Sequence, residues 1–223
     1  MSHVLHRRPS VPSGTHPVET GRYTLSTPPL GRFCDALKDW VENRAVGAIV
    51  TAPPRFGKSK GIRFALQELR AALGEKFPVF SFSCQTHQHP TESRFFENVL
   101  SDLGHAFSDR GSANARQTRT TQLLIQQACV GDHRRLVLVA DEAQKLQEPH
   151  YNWLVDIYNK LERHDIATTV VLVGQPELLH QRAAFEKTKK MQIVGRFMVH
   201  RHEFAGLRDQ DEFAYCLKGY DEQ

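Results

Sequence analysis

The stretch that decides the fold is Val46-Gly-Ala-Ile-Val-Thr-Ala-Pro-Pro-Arg-Phe-Gly-Lys-Ser-Lys60. It opens with a short apolar run, residues 46–50, of the kind that forms a fully buried strand. The two prolines that follow prevent the strand from continuing. From Gly61 to Leu73 the apolar residues recur at a helical spacing. The segment Gly57-Lys58-Ser59 is therefore predicted to lie between a buried strand and the start of a helix.

This arrangement is the context that a phosphate-binding loop requires, because backbone N–H groups converge at a helix N-terminus and the helix dipole favours an anion. Lys58 could then reach the β- and γ-phosphates of a nucleotide, and the Ser59 hydroxyl could bind Mg²⁺. The sequence departs from G-x-x-x-x-G-K-[ST] at Ala52, which can replace glycine only if its φ is negative. The residues predicted to contact nucleotide are Ala52, Pro53, Pro54, Arg55, Phe56, Gly57, Lys58, Ser59 and Lys60.

A second buried strand, Arg135-Leu-Val-Leu-Val-Ala-Asp141, is predicted to end in two adjacent carboxylates, Asp141 and Glu142. Asp141 would hold hydrated Mg²⁺ beside the loop, and Glu142 would orient the attacking water as a general base. Taken separately, the loop could be a chance G-K-S turn and the carboxylates an acidic turn. Together the two motifs predict ATP binding, because each supplies the structural context that the other requires.

The rest of the chain alternates between predicted helices and strands. Helical spacing is found in residues 30–46, 93–107, 150–163 and 206–223, and further strands are predicted at 77–83, 167–174 and 199–204. Buried strands separated by helices are typical of a parallel sheet. We therefore predict an α/β fold of the P-loop NTPase type, with a parallel sheet flanked by helices.

Gln175 directly follows the strand at 167–174, which we expect to lie next to the strand that ends at Asp141. A polar side chain at this strand tip could reach the γ-phosphate or the attacking water. Gln175 is therefore a candidate catalytic residue. The alternative is that its amide caps the helix that follows.

Length and composition indicate one α/β domain with short appendages. The chain has 223 residues, is 40% hydrophobic and carries a formal net charge of +4, which permits an anionic partner without requiring one. No apolar run approaches the roughly 18 residues of a membrane span, and the N-terminus lacks a secretory apolar region. Four widely separated cysteines indicate reduced thiols and a cytoplasmic location.

We divide the chain into an extended N-terminal arm (1–29), an ATPase core (30–205) and a short C-terminal helix (206–223). The arm is rich in proline and shows no period, so a disordered tail is the alternative.

Two basic clusters could contact an anion such as a nucleic-acid backbone, or could simply be solvated. Their members are Arg110, Arg116 and Arg119 in the first cluster, and Lys187, Lys189 and Lys190 in the second. A separate pattern, Cys84-x-x-His87-x-His89, could hold a metal ion, but a fourth ligand is not in view. A polar loop between a strand and a helix is the favoured interpretation of that pattern.

The ordered set of motifs resembles a known family. The set consists of A-P-P-R-F-G-K-S at 52–59, L-V-L-V-A-D-E-A-Q at 136–144, V-L-V-G-Q-P-E-L at 171–178 and I-V-G-R-F at 193–197. It is similar to the AAA+ ATPases of the TnsC/TniB type, which regulate bacterial DNA transposition, and to the related ExeA-like ATPases. The resemblance covers roughly residues 30–210.

Roles follow from the resemblance by position. Lys58 and Ser59 would belong to the Walker A motif, with Asp141 and Glu142 in the Walker B motif. Gln175 would be the sensor-I residue, and Arg196 the arginine finger that reaches the ATP of a neighbouring subunit. The C-terminal helical lid of the family is short or missing in this sequence, which leaves Arg208 as the candidate for the sensor-II arginine.

Members of this family assemble on double-stranded DNA as ATP-dependent rings or helical filaments, mark the insertion site and recruit the transposase. The resemblance implies ATP and Mg²⁺ as cofactors, a homo-oligomer, and duplex DNA, transposase and target-selection proteins as partners, with no membrane. No helix-turn-helix or zinc-finger pattern is visible, so DNA recognition should be largely independent of sequence. Two other functions stay open: an ATP-gated protein-interaction switch of the ExeA-like type, and a helicase loader or other phage replication ATPase.

Overall fold

The computed structural model describes residues 12, 14–15, 17–20, 25–130 and 134–221. The remaining residues of the predicted N-terminal arm, 1–11, 13, 16 and 21–24, lie outside the described residues. The chain forms two compact units, one made of residues 29–206 and the other of residues 1–28 and 207–223.

The larger unit is built on a sheet of five parallel strands, which confirms the predicted fold class. Across the sheet the strands run in the order β2, β3, β4, β1 and β5. Their bounds are β1 (Gly47–Thr51), β2 (Val79–Ser83), β3 (Arg135–Asp141), β4 (Ala167–Gly174) and β5 (His200–Glu203). Because all the strands of this sheet are parallel, the strand that carries the loop and the strand that carries the carboxylates end at the same edge, with only β4 between them.

Helices connect the strands of the sheet and cover its two faces. They are α2 (Pro28–Glu42), α3 (Lys58–Leu73), α4 (Glu92–Asp102), α5 (Ala113–Cys129), α6 (Glu148–Glu162), α7 (Glu177–Lys187) and α8 (Met191–Phe197). Two further helices, α1 (Pro17–Thr20) and α9 (Gln210–Asp221), belong to the smaller unit. A 3₁₀ turn at Ala143–Lys145 follows β3 directly.

Strand residues alternate strictly between two apolar cores, as the two-residue period of a strand requires. Within β3, Leu136 and Leu138 face a core formed with α4, α5, α6, α7 and α8, whereas Val137 and Val139 face a core formed with α2 and α3. All four of these side chains are buried. A parallel sheet covered on both faces needs continuous apolar strands, which explains the sequence pattern of this segment.

The smaller unit contains α1 and α9 in its described part. Helix α9 begins at Gln210, four residues later than the predicted start at 206, and the backbone N–H of Glu212 is bound by the Asp209 carboxylate at 2.8 Å. Cys216 is buried, whereas Phe213 and Leu217 are exposed.

Helices α5 and α8 contain three of the basic residues named above: Arg116, Arg119 and Arg196. Helix α5 begins at Ala113, because the Ser112 hydroxyl caps it by accepting a hydrogen bond from the Ala115 N–H at 3.3 Å. Arg116 and Arg119 therefore lie within a helix. Arg196 lies near the C-terminal end of α8.

All four cysteines are free thiols. Among the described residues, no helix is both long enough and apolar enough to cross a membrane.

Gly47 lets α8 approach β1 at backbone distance. A Cβ atom at this position would lie 2.5 Å from the Arg196 carbonyl oxygen and 2.5 Å from the Phe197 Cα. Both are backbone atoms, so a rotamer change cannot relieve the clash. The lack of a side chain at Gly47 therefore lets α8, which contains Arg196, pack against the amino end of β1.

We expect the Gly47→Ala substitution to lower the free energy of unfolding by about 1–3 kcal/mol, because it over-packs a closed contact. Gly31→Ala is the matched control, since nothing lies within 4 Å of its Cβ position in α2 and alanine favours a helix. Thermal unfolding would compare the two variants. Equal melting temperatures would contradict the close approach of α8 and β1.

Candidate active site

The phosphate loop leaves β1 at Thr51 and enters α3 at Lys58. Ala52 is buried, and its N–H donates to the Gly174 carbonyl at 3.1 Å, which ties the loop to the tip of β4. The φ of Ala52 is negative, so the condition for replacing glycine at this position is met. The left-handed positions of the loop are Arg55, with a φ of 64°, and Gly57, with a φ of 75°.

Lys58 lies at the first position of α3, and its side chain bends back over the loop. Its Nζ donates to the carbonyls of Ala52 and Pro53, each at 3.1 Å, and the residue is 8% exposed. No side chain that the structure describes caps the N-terminus of α3. The backbone N–H groups of its first turn are therefore available to bind an anion.

Ser59 and Asp141 join the two predicted motifs. The Ser59 hydroxyl donates to Asp141 Oδ2 at 2.8 Å, although the two residues lie far apart in the chain. The other oxygen, Asp141 Oδ1, accepts from the Glu142 N–H at 2.9 Å. A hydroxyl and a carboxylate side by side are oxygen ligands suited to Mg²⁺, so this pair fits the ion that the phosphate loop implies.

Glu142 adopts a left-handed backbone conformation, with φ 59° and ψ 36°. Its Oε2 accepts from Gln144 Nε2 at 2.9 Å and pairs with Lys145 Nζ at 3.4 Å. Residues other than glycine in this region carry local strain, which is often found at active sites. The carboxylate is held by neighbours in the 3₁₀ turn rather than left to move freely.

Gln175 directly follows the last residue of β4. Strand β4 pairs with β3, as predicted, so the ends of these two strands are adjacent. Its backbone N–H donates to Gln144 Oε1 at 3.2 Å. Gln144 therefore lies between Gln175 and Glu142. Gln144 is part of the D-E-A-Q motif but had no predicted role. The signal in the sequence was a polar residue shortly after the two carboxylates.

Arg196 lies at the opposite end of β1 from the phosphate loop. Its backbone contacts Gly47, and at about 3.3 Å per residue a strand places Gly47 about 16 Å from Ala52. The guanidinium donates to Asn159 Oδ1 at 3.2 Å and lies 5.7 Å from the centroid of the Tyr158 ring. These partners lie on α6, so Arg196 is not drawn toward the loop of its own subunit.

The structure divides the two basic clusters by exposure. Arg116 is buried: it pairs with Glu97 at 2.9 Å and donates to the Ser93 hydroxyl and to the Asp109 carbonyl. Arg119 donates to the carbonyls of Phe107 and Arg110, so both side chains hold the segment between α4 and α5. Of the three residues in the first cluster, Arg110 alone presents an exposed side chain.

In the second cluster, Lys190 is half-buried, and its Nζ lies 2.5 Å from Glu148 Oε1. Lys187 and Lys189 are exposed at the C-terminal end of α7. Exposed cations are the ones that can reach a phosphate backbone without breaking internal contacts.

A small pocket at the carboxyl end of β2 is lined by Cys84, His87 and His150 among others. Burial, together with the charge of Asp141, raises the pKa of the Cys84 thiol, and burial lowers the pKa of His150. Neutral forms of both groups are therefore favoured. Within residues 25–130 and 134–221, no group of three or more His, Cys, Asp or Glu side chains is placed to hold a metal ion.

A family model described as an AAA domain matches residues 42–181, a span that contains both motifs and the tip of β4. No curated protein matches the chain.

Solved structures share the fold at low sequence identity. The ORC2 protein of Aeropyrum pernix, solved in ADPNP-ADP complexes, has a TM-score of 0.58 at 16% identity over 86% of this chain and 51% of its own. The ORC1 protein of the same organism, solved in complex with DNA, has a TM-score of 0.55 at 15% identity over 87% of this chain and 48% of its own. A Walker-type ATPase of Pyrococcus abyssi has a TM-score of 0.55 at 14% identity over 86% and 57%. The chain thus spans about half the length of the solved proteins it matches.

The first prediction for the site concerns Glu142. Glu142→Gln keeps the shape of the side chain and its acceptor for Gln144, but it removes the basicity. We expect nucleotide binding to be retained and ATP turnover to fall by roughly 10²-fold or more, as loss of a general base typically does.

Steady-state phosphate release and binding of a fluorescent ATP analogue would be measured for this variant and for Lys58→Ala. Lys58→Ala should lose nucleotide binding, because it removes the cation at the start of α3. Turnover at the parent rate in Glu142→Gln would show that another group is the base.

Proposed function

This chain belongs to the AAA domain family, and on that premise we propose that it is an ATPase that assembles on double-stranded DNA to regulate transposition. In this proposal it marks the target site and recruits the transposase and target-selection proteins. The observation that carries the ATPase part is the contact of the Ser59 hydroxyl with Asp141 at 2.8 Å, beside Lys58 and Glu142. This contact supports the proposal because the G-K-S loop and the acidic pair then lie side by side, as a nucleotide with Mg²⁺ requires.

The geometry supports a division of roles in hydrolysis. The N–H groups at the start of α3 and the Lys58 ammonium would bind the β- and γ-phosphates. Ser59 and Asp141 would hold Mg²⁺, whose charge offsets that of the phosphates. Glu142 would accept a proton from the attacking water, and Gln175 would orient that water or the γ-phosphate.

Assembly is proposed from the position of Arg196. The guanidinium lies at the far end of β1 from the loop and is held by Asn159 and Tyr158, so it cannot serve the nucleotide of its own subunit. Head-to-tail packing would place it against the loop of a neighbour and would repeat around a ring or along a filament. An arginine supplied in this way can contribute 10³–10⁵ in rate.

The DNA and transposition parts rest on the motif resemblance and on charge. The blocks D-E-A-Q and G-Q-P-E-L are the motifs in this sequence most similar to the transposition regulators. Arg110, Lys187 and Lys189 are exposed cations compatible with a phosphate backbone. The A. pernix ORC1 protein binds DNA in its solved structure, and its likeness to this chain supports the fold alone.

Binding to duplex DNA should be steep in salt and insensitive to sequence. We expect Lys187→Glu to reduce the slope of log affinity against log salt concentration by about one, since each lost phosphate contact removes about one released counterion. Fluorescence anisotropy of duplexes of two unrelated sequences, measured in a non-hydrolysable ATP analogue, would give the slopes.

Lys76→Glu is the matched control, because Lys76 is exposed outside both clusters and undergoes the same charge change. Equal slopes for the two variants would remove Lys187 from the interface. ATP turnover that does not respond to DNA, together with no DNA binding, would instead favour the ATP-gated protein switch.

A mixing experiment tests Arg196 and distinguishes an assembly from a monomeric switch. Arg196→Ala subunits and Lys58→Ala subunits should each be inactive alone. Mixed assemblies should recover part of the ATPase activity, because some interfaces then pair an intact loop with an intact arginine.

The control mixes Lys58→Ala subunits with the Lys58→Ala/Arg196→Ala double variant, which contains no intact loop and should stay inactive. Absence of recovery in assemblies shown to be mixed would count against Arg196 acting on a neighbouring subunit.

A further inference from the structure

One side-chain amide, that of Gln144, bridges the tips of two neighbouring strands. Its Nε2 donates to Glu142 Oε2 at 2.9 Å, and its Oε1 accepts from the Gln175 N–H at 3.2 Å. An uncharged amide can donate from one end and accept at the other, whereas a carboxylate can only accept and an ammonium can only donate. Both ends of Gln144 are thus used by groups of the active site.

The turn that carries Gln144 is held from behind. Gln181 Nε2, in α7, donates to the Gln144 carbonyl at 2.7 Å and to the Leu146 carbonyl at 3.1 Å. The hydroxyl of the fully buried Tyr151, in α6, donates to Gln181 Oε1 at 3.0 Å. The backbone of the turn is therefore connected to two helices of the core, which limits how far the amide of Gln144 can move.

Gly174 provides the space that the amide occupies. A Cβ atom at this last residue of β4 would lie 2.5 Å from Gln144 Oε1 and 3.2 Å from the Gln144 nitrogen. The contact between β4 and the turn is therefore closed, and any larger residue at position 174 would displace the amide.

We propose that Gln144 is a positioning residue that fixes Glu142 and couples it to the tip of β4, an inference that rests on the proposed ATPase function. Gln144 Nε2 and Lys145 Nζ both contact Glu142 Oε2, which assigns the attacking water to the other oxygen, Oε1. Gln175 is the residue proposed to meet the γ-phosphate. If the Gly174–Gln175 backbone shifts, it moves the acceptor end of the Gln144 amide, and this amide in turn moves Glu142. The state of the phosphate at β4 is thereby transmitted to Glu142 by one side chain.

The near-isosteric variant Gln144→Glu removes only the donor end of the side chain, the Nε2 group that contacts Glu142. It keeps an acceptor for the Gln175 N–H and places a second carboxylate against Glu142. We expect kcat to fall by roughly 10- to 10²-fold, because small displacements of a catalytic group have effects of that size. The dissociation constant for a fluorescent ATP analogue should stay within about twofold of the parent value, since the hydrogen bonds of Gln144 go to Glu142, Gln175 and Gln181 and not to Lys58 or Ser59.

Gln126→Glu is the matched control, because Gln126 is exposed on α5 and gains the same charge. A kcat for Gln144→Glu equal to that of the Gln126→Glu control would overturn the proposed role in positioning the base.

A swapped pair tests the contact without any activity measurement. Gln144→Glu should lower the melting temperature by about 2–4 °C, a shift expected for one lost favourable contact in a chain of this size. Adding Glu142→Gln restores an amide opposite a carboxylate with the net charge of the parent, so most of the loss should be recovered. Additive effects of the two substitutions on the melting temperature would overturn the pairing.

The β4 end is tested by Gly174→Ala. This substitution should lower kcat in the parent, because it displaces the amide, and should lower it much less in a Gln144→Ala background, where the amide is already gone. Equal losses in both backgrounds would overturn the coupling. If the parent protein hydrolyses no ATP, the proposed function fails, whereas the melting temperatures of the swapped pair still decide whether Gln144 and Glu142 interact.

Discussion

The hydrogen bond between Ser59 and Asp141 is the contact on which the rest of the site depends. It joins the start of α3 to the end of β3, which lie at one edge because β1 and β3 are parallel strands of one sheet with only β4 between them. Carboxyl ends of parallel strands meet at one edge, which is where ligands bind in open α/β folds. The apolar strands, buried on both faces, are what keep this edge in register.

Two residues at this edge have strained backbone conformations, and neighbouring contacts hold one of them in place. Arg55 and Glu142 are residues other than glycine in the left-handed region. The Glu142 carboxylate is contacted by Gln144 and Lys145, and the turn behind it is held by Gln181. Such positions persist when the surrounding structure over-determines them. The geometry of the Glu142 carboxylate is therefore a property of the network and not of the residue alone.

The amino ends of the strands have a different role. Gly47 lets α8 pack directly on β1, which fixes Arg196 at the far side of the sheet from Lys58.

Arg116 shows that positive charge in a sequence need not be a surface feature, since its guanidinium is buried among Glu97, Ser93 and Asp109. The charges left for a partner are a smaller set than the composition indicates.

The sequence by itself determined the sheet-and-helix fold class and the position of the G-K-S segment between a strand and a helix, because apolar runs, helical spacing and proline breaks are local patterns. It also indicated that β3 ends in a carboxylate pair. Only the tertiary structure decided that Gln144 lies between Glu142 and Gln175, and that Arg116 is internal. Those facts depend on which side chains meet across strands and helices far apart in the chain, and no local period carries that information.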